Sequence, residues 1–325
     1  MTFIASVIAK KGVAVIADSL VTSVRPVIEF EDFDDYTKPK QGENDKSQIE
    51  SSEIFKLFQD KPSHTKDYEE KLFEYDRYTA ITSAGCAIIN YKRIAEIVSA
   101  IREYNHHRIN RKSYNSKSTE TKVKDFCMYL TREVREHLKN NERIEAVSFI
   151  YTNYNPVSHK TITYKIEIKQ AANETLTDEN YQYVSYDLQE ELYKVVCDGQ
   201  NRVSERILFG DRNIIKSIIP KIINSVLDNF GIDNENMTSE KFLKIIQDSE
   251  VLNSNFWDDI KILQLPELSL QQAVDLASLL MRIEIDIQKY TKDIPTVGGV
   301  IKLAVIDDNG FRYIHGHDII TPAII

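Results

Sequence analysis

Apolar, mostly β-branched residues fill positions 3–9 and 13–17, and Lys10-Lys11-Gly12 separates the two runs. Such runs around a tight-turn signal predict an opening hairpin, whose second strand ends at Asp18. Residues 29–53 are polar and acidic and predict a solvated insertion, a loop by default. EIFKLFQ returns to strand character, 61–71 reads as a further polar loop, and 72–85 as a strand or strand pair ending at Ala84-Gly85. The period then changes. Ile88, Ile89, Ile94, Ile97, Val98 and Ile101 recur at helical spacing and predict a helix over 87–107; Val123, Phe126, Cys127, Leu130 and Val134 predict another over 120–139. Strands are expected near 143–152 and 161–168, then at YQYVSYDL and YKVVCDG. A helix over 211–230 would be kinked or restarted at Pro220 and ended by Gly231. Residues 233–266 read as a second insertion with a short helix around 239–247, and 269–290 as a helix with Ser269 as its N-cap. VIKLAVID, a turn at DDNG and FRYIHG close the chain as a hairpin.

Strands and helices therefore come in pairs rather than in strict alternation, which disfavours a doubly wound parallel sheet. The expected class is α+β: a four-layer αββα sandwich of two antiparallel sheets, packed face to face and flanked by helix pairs. A single domain over 1–325, with insertions near 29–53 and 233–266, accommodates the pattern.

Composition narrows the function classes. The chain has 325 residues, 42% hydrophobic and 28% charged, and a net charge of −9. That balance lacks the basic footprint of nucleic-acid binding and disfavours adhesion to an anionic membrane surface. Neither a signal peptide nor a membrane span is expected. Cys86, Cys127 and Cys197 are an odd, widely spaced set and read as reduced thiols of a cytoplasmic protein. His106-His107 and His315/His317 read as surface positions and Asp32, Asp34 and Asp35 as a solvated acidic run, so neither metal nor cofactor is expected.

The sharpest chemical signal is Met1-Thr2. Removal of Met1 would give one residue both a hydroxyl nucleophile and a free α-amine able to act as its base. Four stretches then carry a resemblance: Thr2 with Asp18 closing the second strand, Lys56 before an aliphatic residue in EIFKLF, Ala84-Gly85 in ITSAGCA, and Asp293 with Thr296 ahead of VGGVIKLAVID. On these the chain resembles the proteasome β-type subunits, N-terminal nucleophile hydrolases, and is most similar to the stand-alone bacterial proteasome-related proteins called Anbu.

The resemblance implies a threonine peptidase. Thr2 would attack a peptide carbonyl, Asp18 would hold Lys56 charged beside it, the Gly85 N–H would face the oxyanion, and Asp293 and Thr296 would orient the amine and a bridging water. Where the family has a serine within Gly-Ser-Gly, this chain has Cys197-Asp198-Gly199, which puts Asp198 beside the amine; Thr296 replaces a second serine. By position, Val21, Ile54, Phe58, Ser83, Ala87 and Tyr91 would line the first specificity pocket, and as none is charged an apolar or small residue is expected before the scissile bond. The resemblance further implies self-assembly into a ring or open spiral, a peptide or unfolded-protein substrate, and an ATPase unfoldase as a possible partner. Other readings of the same residues are a catalytically silent subunit of the same fold and a small-molecule amidase.

Overall fold

The computed structural model describes residues 2–37, 57–66, 68–107, 110–140, 144, 146–168, 184–189, 194–210, 218, 221–222, 225, 265–291 and 294–314. The opening hairpin forms as expected, with β1 (Phe3–Ala9) paired antiparallel to β2 (Gly12–Ala17). Apart from Ser6 its runs are apolar because both faces are covered. Phe3, Ala5, Val7, Ala14 and Ile16 point into one buried cluster, and Ile4, Val13, Val15 and Ala17 into another. A strand whose side chains alternate between two cores has no face left for polar residues.

Around this hairpin stands a five-stranded sheet with β12 (Val195–Gly199), β13 (Lys302–Asp307) and β14 (Gly310–Tyr313), in the order β12-β1-β2-β13-β14. A second five-stranded sheet runs β11-β10-β9-β6-β5, built from β5 (Leu72–Asp76), β6 (Thr79–Gly85), β9 (Val147–Asn155), β10 (Lys160–Ile168) and β11 (Val184–Gln189). Every pairing in both sheets is antiparallel. Two ribbons complete the strands: β3 (Val21–Val27) with β4 (Gln59–Lys66), and β7 (Ile88–Ile89) with β8 (Lys92–Arg93).

Six α-helices are described: α1 (Phe30–Thr37), α2 (Ile94–His106), α3 (Arg111–Ser116), α4 (Thr119–Asn140), α5 (Arg202–Phe209) and α6 (Leu270–Ile287). Three buried clusters bind these layers together. One joins α2 and α4 to the second sheet through Ile97, Ile101, Phe126, Leu130, Phe149 and Tyr151. The next lies between the sheets, where Ile4, Val15 and Ala304 meet Leu72, Ala80 and Ile150. The last joins the first sheet to α6 through Phe3, Val7, Ile16, Ala277, Leu280 and Met281. A buried hydrogen bond of 2.8 Å between the Ser6 and Thr152 hydroxyls crosses from sheet to sheet. Each hydroxyl gives the other a partner in this buried layer.

Several expectations change. Within the polar stretch 29–53, residues 30–37 form α1; the rest of that stretch from 38 onward lies outside the described residues. Of the supposed loop at 61–71, residues 61–66 are strand, paired with β3 through the backbone, a pairing that needs no apolar period in the sequence. The helix expected from 87 begins at Ile94. The β7–β8 ribbon precedes it, turned by Asn90 and Tyr91 at φ 52° and 58°. Ala84-Gly85 closes β6, at the strand end expected for it. Helix α5 was not foreseen, whereas the helix at 269–290 and its Ser269 cap hold, with the Ser269 hydroxyl accepting from the Gln272 N–H. Most of 211–230, and all of 239–247, lie outside the described residues. No helix among the described residues is long and apolar enough to cross a membrane.

Candidate active site

The β1–β2 register places Asp18 beside Phe3, one residue after the candidate nucleophile. The Phe3 N–H donates to Asp18 Oδ1 at 3.3 Å, and the Gly298 N–H donates to Oδ2 at 3.0 Å. Into this corner reaches Lys71, the residue immediately before β5. Its Nζ lies 2.5 Å from Thr2 Oγ1, 3.2 Å from Asp18 Oδ1 and 2.5 Å from the Leu20 carbonyl oxygen. The three side chains form a buried chain of contacts, with Thr2 only 1% exposed.

The charges are set by burial. Loss of water pushes the Asp18 carboxyl up to about 6, against the opposing pull of Lys71 and the Gly298 and Phe3 N–H groups. Burial likewise lowers Lys71, while the charge of Asp18 holds it up. Each ion keeps its charge through the other. At 3.2 Å with almost no water access, this pair is far more strongly coupled than a surface ion pair.

The lysine beside Thr2 is thus Lys71. Lys56, expected in that role, lies outside the described residues. Lys71 stands before Leu-Phe in EKLFEYD much as Lys56 does before Leu-Phe in EIFKLF. The distinguishing signal was adjacency: LFEYDRYTAITSAG contains a hairpin, in which Leu72 pairs with Thr82 and the residue before it lies near the end of β6. The Ser83 N–H donates to the Lys71 carbonyl at 3.0 Å, which brings Lys71 and Gly85 to the same end of the sheet.

Gly85 lines a cleft of about 620 Å³ together with Thr2, Ala84, Ser148, Glu167, Asp198 and Gly199. Two of its glycines adopt left-handed backbone conformations, Gly85 at φ 98° and Gly199 at φ 82°. A Cβ on Gly199 would overlap the Thr2 carbonyl oxygen, which also accepts from the Gln200 N–H at 2.6 Å. Gly199→Ala is expected to cost at least about 1–2 kcal/mol from backbone conformation alone. Urea denaturation should register that loss, together with displacement of Thr2.

Asp198, on the wall of the same cleft, is held by two other groups. Its Oδ1 accepts from the Gly199 N–H at 2.7 Å, and its Oδ2 pairs with Lys165 of β10 at 3.2 Å. Burial works against the Lys165 charge, yet Asp198 and Glu167 outweigh it and raise the lysine's pKa. Thr296 lies in the same neighbourhood: its hydroxyl donates to Gln200 Oε1 and approaches Gln288 Oε1 at 3.2 Å. Asp293 lies outside the described residues.

Of the proposed specificity residues, Ser83 and Ala87 line a small recess beside Gly85, and Ile54 lies outside the described residues. Val21 opens β3, Phe58 precedes β4 at 41% exposure, and Tyr91 sits in the β7–β8 turn at 76%. The recess is not free of charge. Glu69, Glu70 and Lys71 contribute to its wall; Glu70 binds Lys302 and Glu69 faces Arg93 at 3.6 Å. No group of metal-binding side chains occurs among the described residues. No family model matches the chain, and no curated protein matches it.

Proposed function

We propose that this chain is an N-terminal threonine hydrolase acting on peptide bonds, built on the N-terminal nucleophile hydrolase fold and related to the proteasome β-type subunits. One observation carries the reading: Lys71 Nζ stands 2.5 Å from Thr2 Oγ1 with Asp18 directly behind it. The layering of helices, sheet, sheet and helices, and the cleft that Thr2 shares with Gly85, support it.

The chemistry starts with loss of Met1. The freed Thr2 amine, with an unperturbed pKa of about 7.7–8.0, takes the hydroxyl proton through one water. Oγ forms a bond to the substrate carbonyl carbon while the Lys71 ammonium stabilises the developing negative charge on Oγ. The carbonyl oxygen becomes an oxyanion facing the Gly85 N–H, a contact worth roughly 3–4 kcal/mol in other hydrolases. The amine returns its proton to the departing nitrogen, the C–N bond breaks, and water hydrolyses the resulting ester. Subunits assembled into a closed ring or spiral would shelter this chemistry from folded proteins, and a light-scattering mass equal to one chain would count against that assembly.

An epoxyketone probe tests the assignment, because it closes a ring only with a free N-terminal amine and hydroxyl on one residue. Mass spectrometry should find chains that lack Met1 and carry the adduct on Thr2. A retained Met1, or an equal adduct on Thr2→Ala, refutes the mechanism. The pH profile is a second check. Protonation of the amine should make log kcat/KM fall with slope one below about 8. Asp18, titrating at about 6, must be ionised to hold Lys71, so the slope should steepen to two below that pH. A profile that keeps slope one down to pH 5 removes Asp18 from the mechanism.

A further inference from the structure

Asp18 sits beside Thr2 with one of its oxygens held by Gly298, a residue of the segment that leads from α6 back to β13. Val297 anchors that segment in the apolar cluster under the first sheet, and Thr22 and Gln200 each hold it by a hydrogen bond; Gln288 holds it to the end of α6. Gln288 begins the short 3₁₀ turn Gln288–Tyr290 at the end of α6 and is only 5% exposed. Its Oε1 accepts from the Thr296 N–H at 2.5 Å and the Val297 N–H at 3.1 Å. Its Nε2 donates to the Glu284 carbonyl at 2.7 Å and reaches the Val297 carbonyl at 3.4 Å. One amide group thus ties the loop to the helix from both its ends. The next residue, Gly298, donates to Asp18 Oδ2, and its carbonyl accepts from the Ser19 and Leu20 N–H groups at 3.1 and 3.0 Å.

One helical turn earlier, on the same face of α6, Glu284 serves the opposite flank. It is 1% exposed, and its Oε1 accepts from the Val203 and Ser204 N–H groups at 3.1 and 2.7 Å. These residues follow Gln200, whose N–H reaches the Thr2 carbonyl. A single face of α6 therefore anchors both segments that touch the Thr2–Asp18 corner.

We propose that Gln288 is a positioning residue for the Thr2 centre, which fixes the 296–298 segment so that the Gly298 N–H meets the Asp18 carboxylate. The inference rests on the hydrolase reading. Gln288 touches no reacting atom and acts through Gly298 and Asp18. An N–H donated to a carboxylate favours its charged form. Loss of the clamp should therefore make Asp18 easier to protonate and loosen its hold on Lys71. The other charged groups around Asp18 are Lys71 itself and, behind Lys71, Glu69 with Arg93. Gln288 variants leave all of them in place.

The test is Gln288→Met, which keeps the volume and loses every hydrogen bond, beside Gln288→Glu. A glutamic acid, in its protonated form, replaces the amide as both acceptor and donor. Asp18 is followed directly by carbon-13 NMR of labelled aspartate. Gln288→Met should raise its midpoint above the wild-type value, and Gln288→Glu should leave it unchanged. The break in the pH profile should move with it. Turnover kcat should fall roughly 100-fold, the size of effect that about 1 Å of misplacement produces, with KM little changed. In the wild type, amide exchange at Thr296, Val297 and Gly298 should be as slow as in the middle of α6. Exchange at open-loop rates, or a folded Gln288→Met with an unaltered Asp18 midpoint, overturns the proposal. A wild type without turnover would refute the hydrolase reading, whereas the titration and exchange still report on the clamp.

Discussion

Thr2→Ala should abolish peptide hydrolysis while leaving the fold in place. Loss of a nucleophile in other hydrolases lowers kcat by factors on the order of 10⁶, and the cleft walls that remain here carry no second hydroxyl–amine pair. The substitution keeps the backbone contact from the Gln200 N–H to the Thr2 carbonyl and removes only the side-chain contact with Lys71. Stability should change by no more than about 1–2 kcal/mol. Fluorogenic peptides and a thermal melt on the same preparation check both halves. Residual activity within tenfold of wild type would place the nucleophile elsewhere. Thr2→Ser, which keeps hydroxyl and amine, should retain measurable turnover.

Lys71→Ala is expected to damage stability and activity together. It strips Asp18, whose side chain is fully buried, of its one counter-charge among the described residues. Breaking a buried pair in this way typically costs about 3–5 kcal/mol. The cost should depend on pH in a defined direction. The Asp18 carboxyl is already raised to about 6 in the intact protein, and loss of the lysine raises it further. A carboxyl whose folded pKa exceeds its unfolded value favours folding when protonated, and that contribution is lost as pH rises through the folded value. The variant should therefore be more stable at pH 5 than at pH 8, measured by urea denaturation. Equal destabilisation at both values would show that Asp18 is not left as a bare charge. Lys71→Arg should not rescue, because a planar guanidinium does not fit a point contact shared by a hydroxyl, a carboxylate and a carbonyl.

Much of this site was legible where chemistry and local pattern coincide. Thr2, Asp18 and Gly85 follow from strand ends: a hairpin with a two-residue period fixes which residues stand side by side, and an Ala-Gly at the close of an apolar run marks a strand terminus. Lys71 was missed because it sits at the edge of a polar stretch, and the β3–β4 pairing that makes this stretch a ribbon depends on backbone hydrogen bonds rather than side-chain periodicity. The β7–β8 turn was read as helix because Ile88 and Ile89 lie in phase with the isoleucines of α2. Gln288 and Glu284 carried no signal at all. Buried amides and carboxylates on a helix look like solvated ones until their partners, remote in sequence, are known. The fate of Asp198 was likewise decided by a residue of another sheet, Lys165.

The placement of β13 has a consequence for the order of folding. It lies between β2 and β14, and β12 flanks β1 on the other side, so the N-terminal hairpin receives both of its neighbours from the last two-fifths of the chain. During synthesis β1 and β2 emerge before β12 and β13 and wait with both edges unpaired, an arrangement prone to wrong strand additions. Asp18 cannot meet the Gly298 N–H until the 280 residues that separate them have been made. A nascent or truncated chain therefore carries the threonine without the geometry that would arm it. Refolding should be slow for the same reason, limited by the search for these distant strand partners.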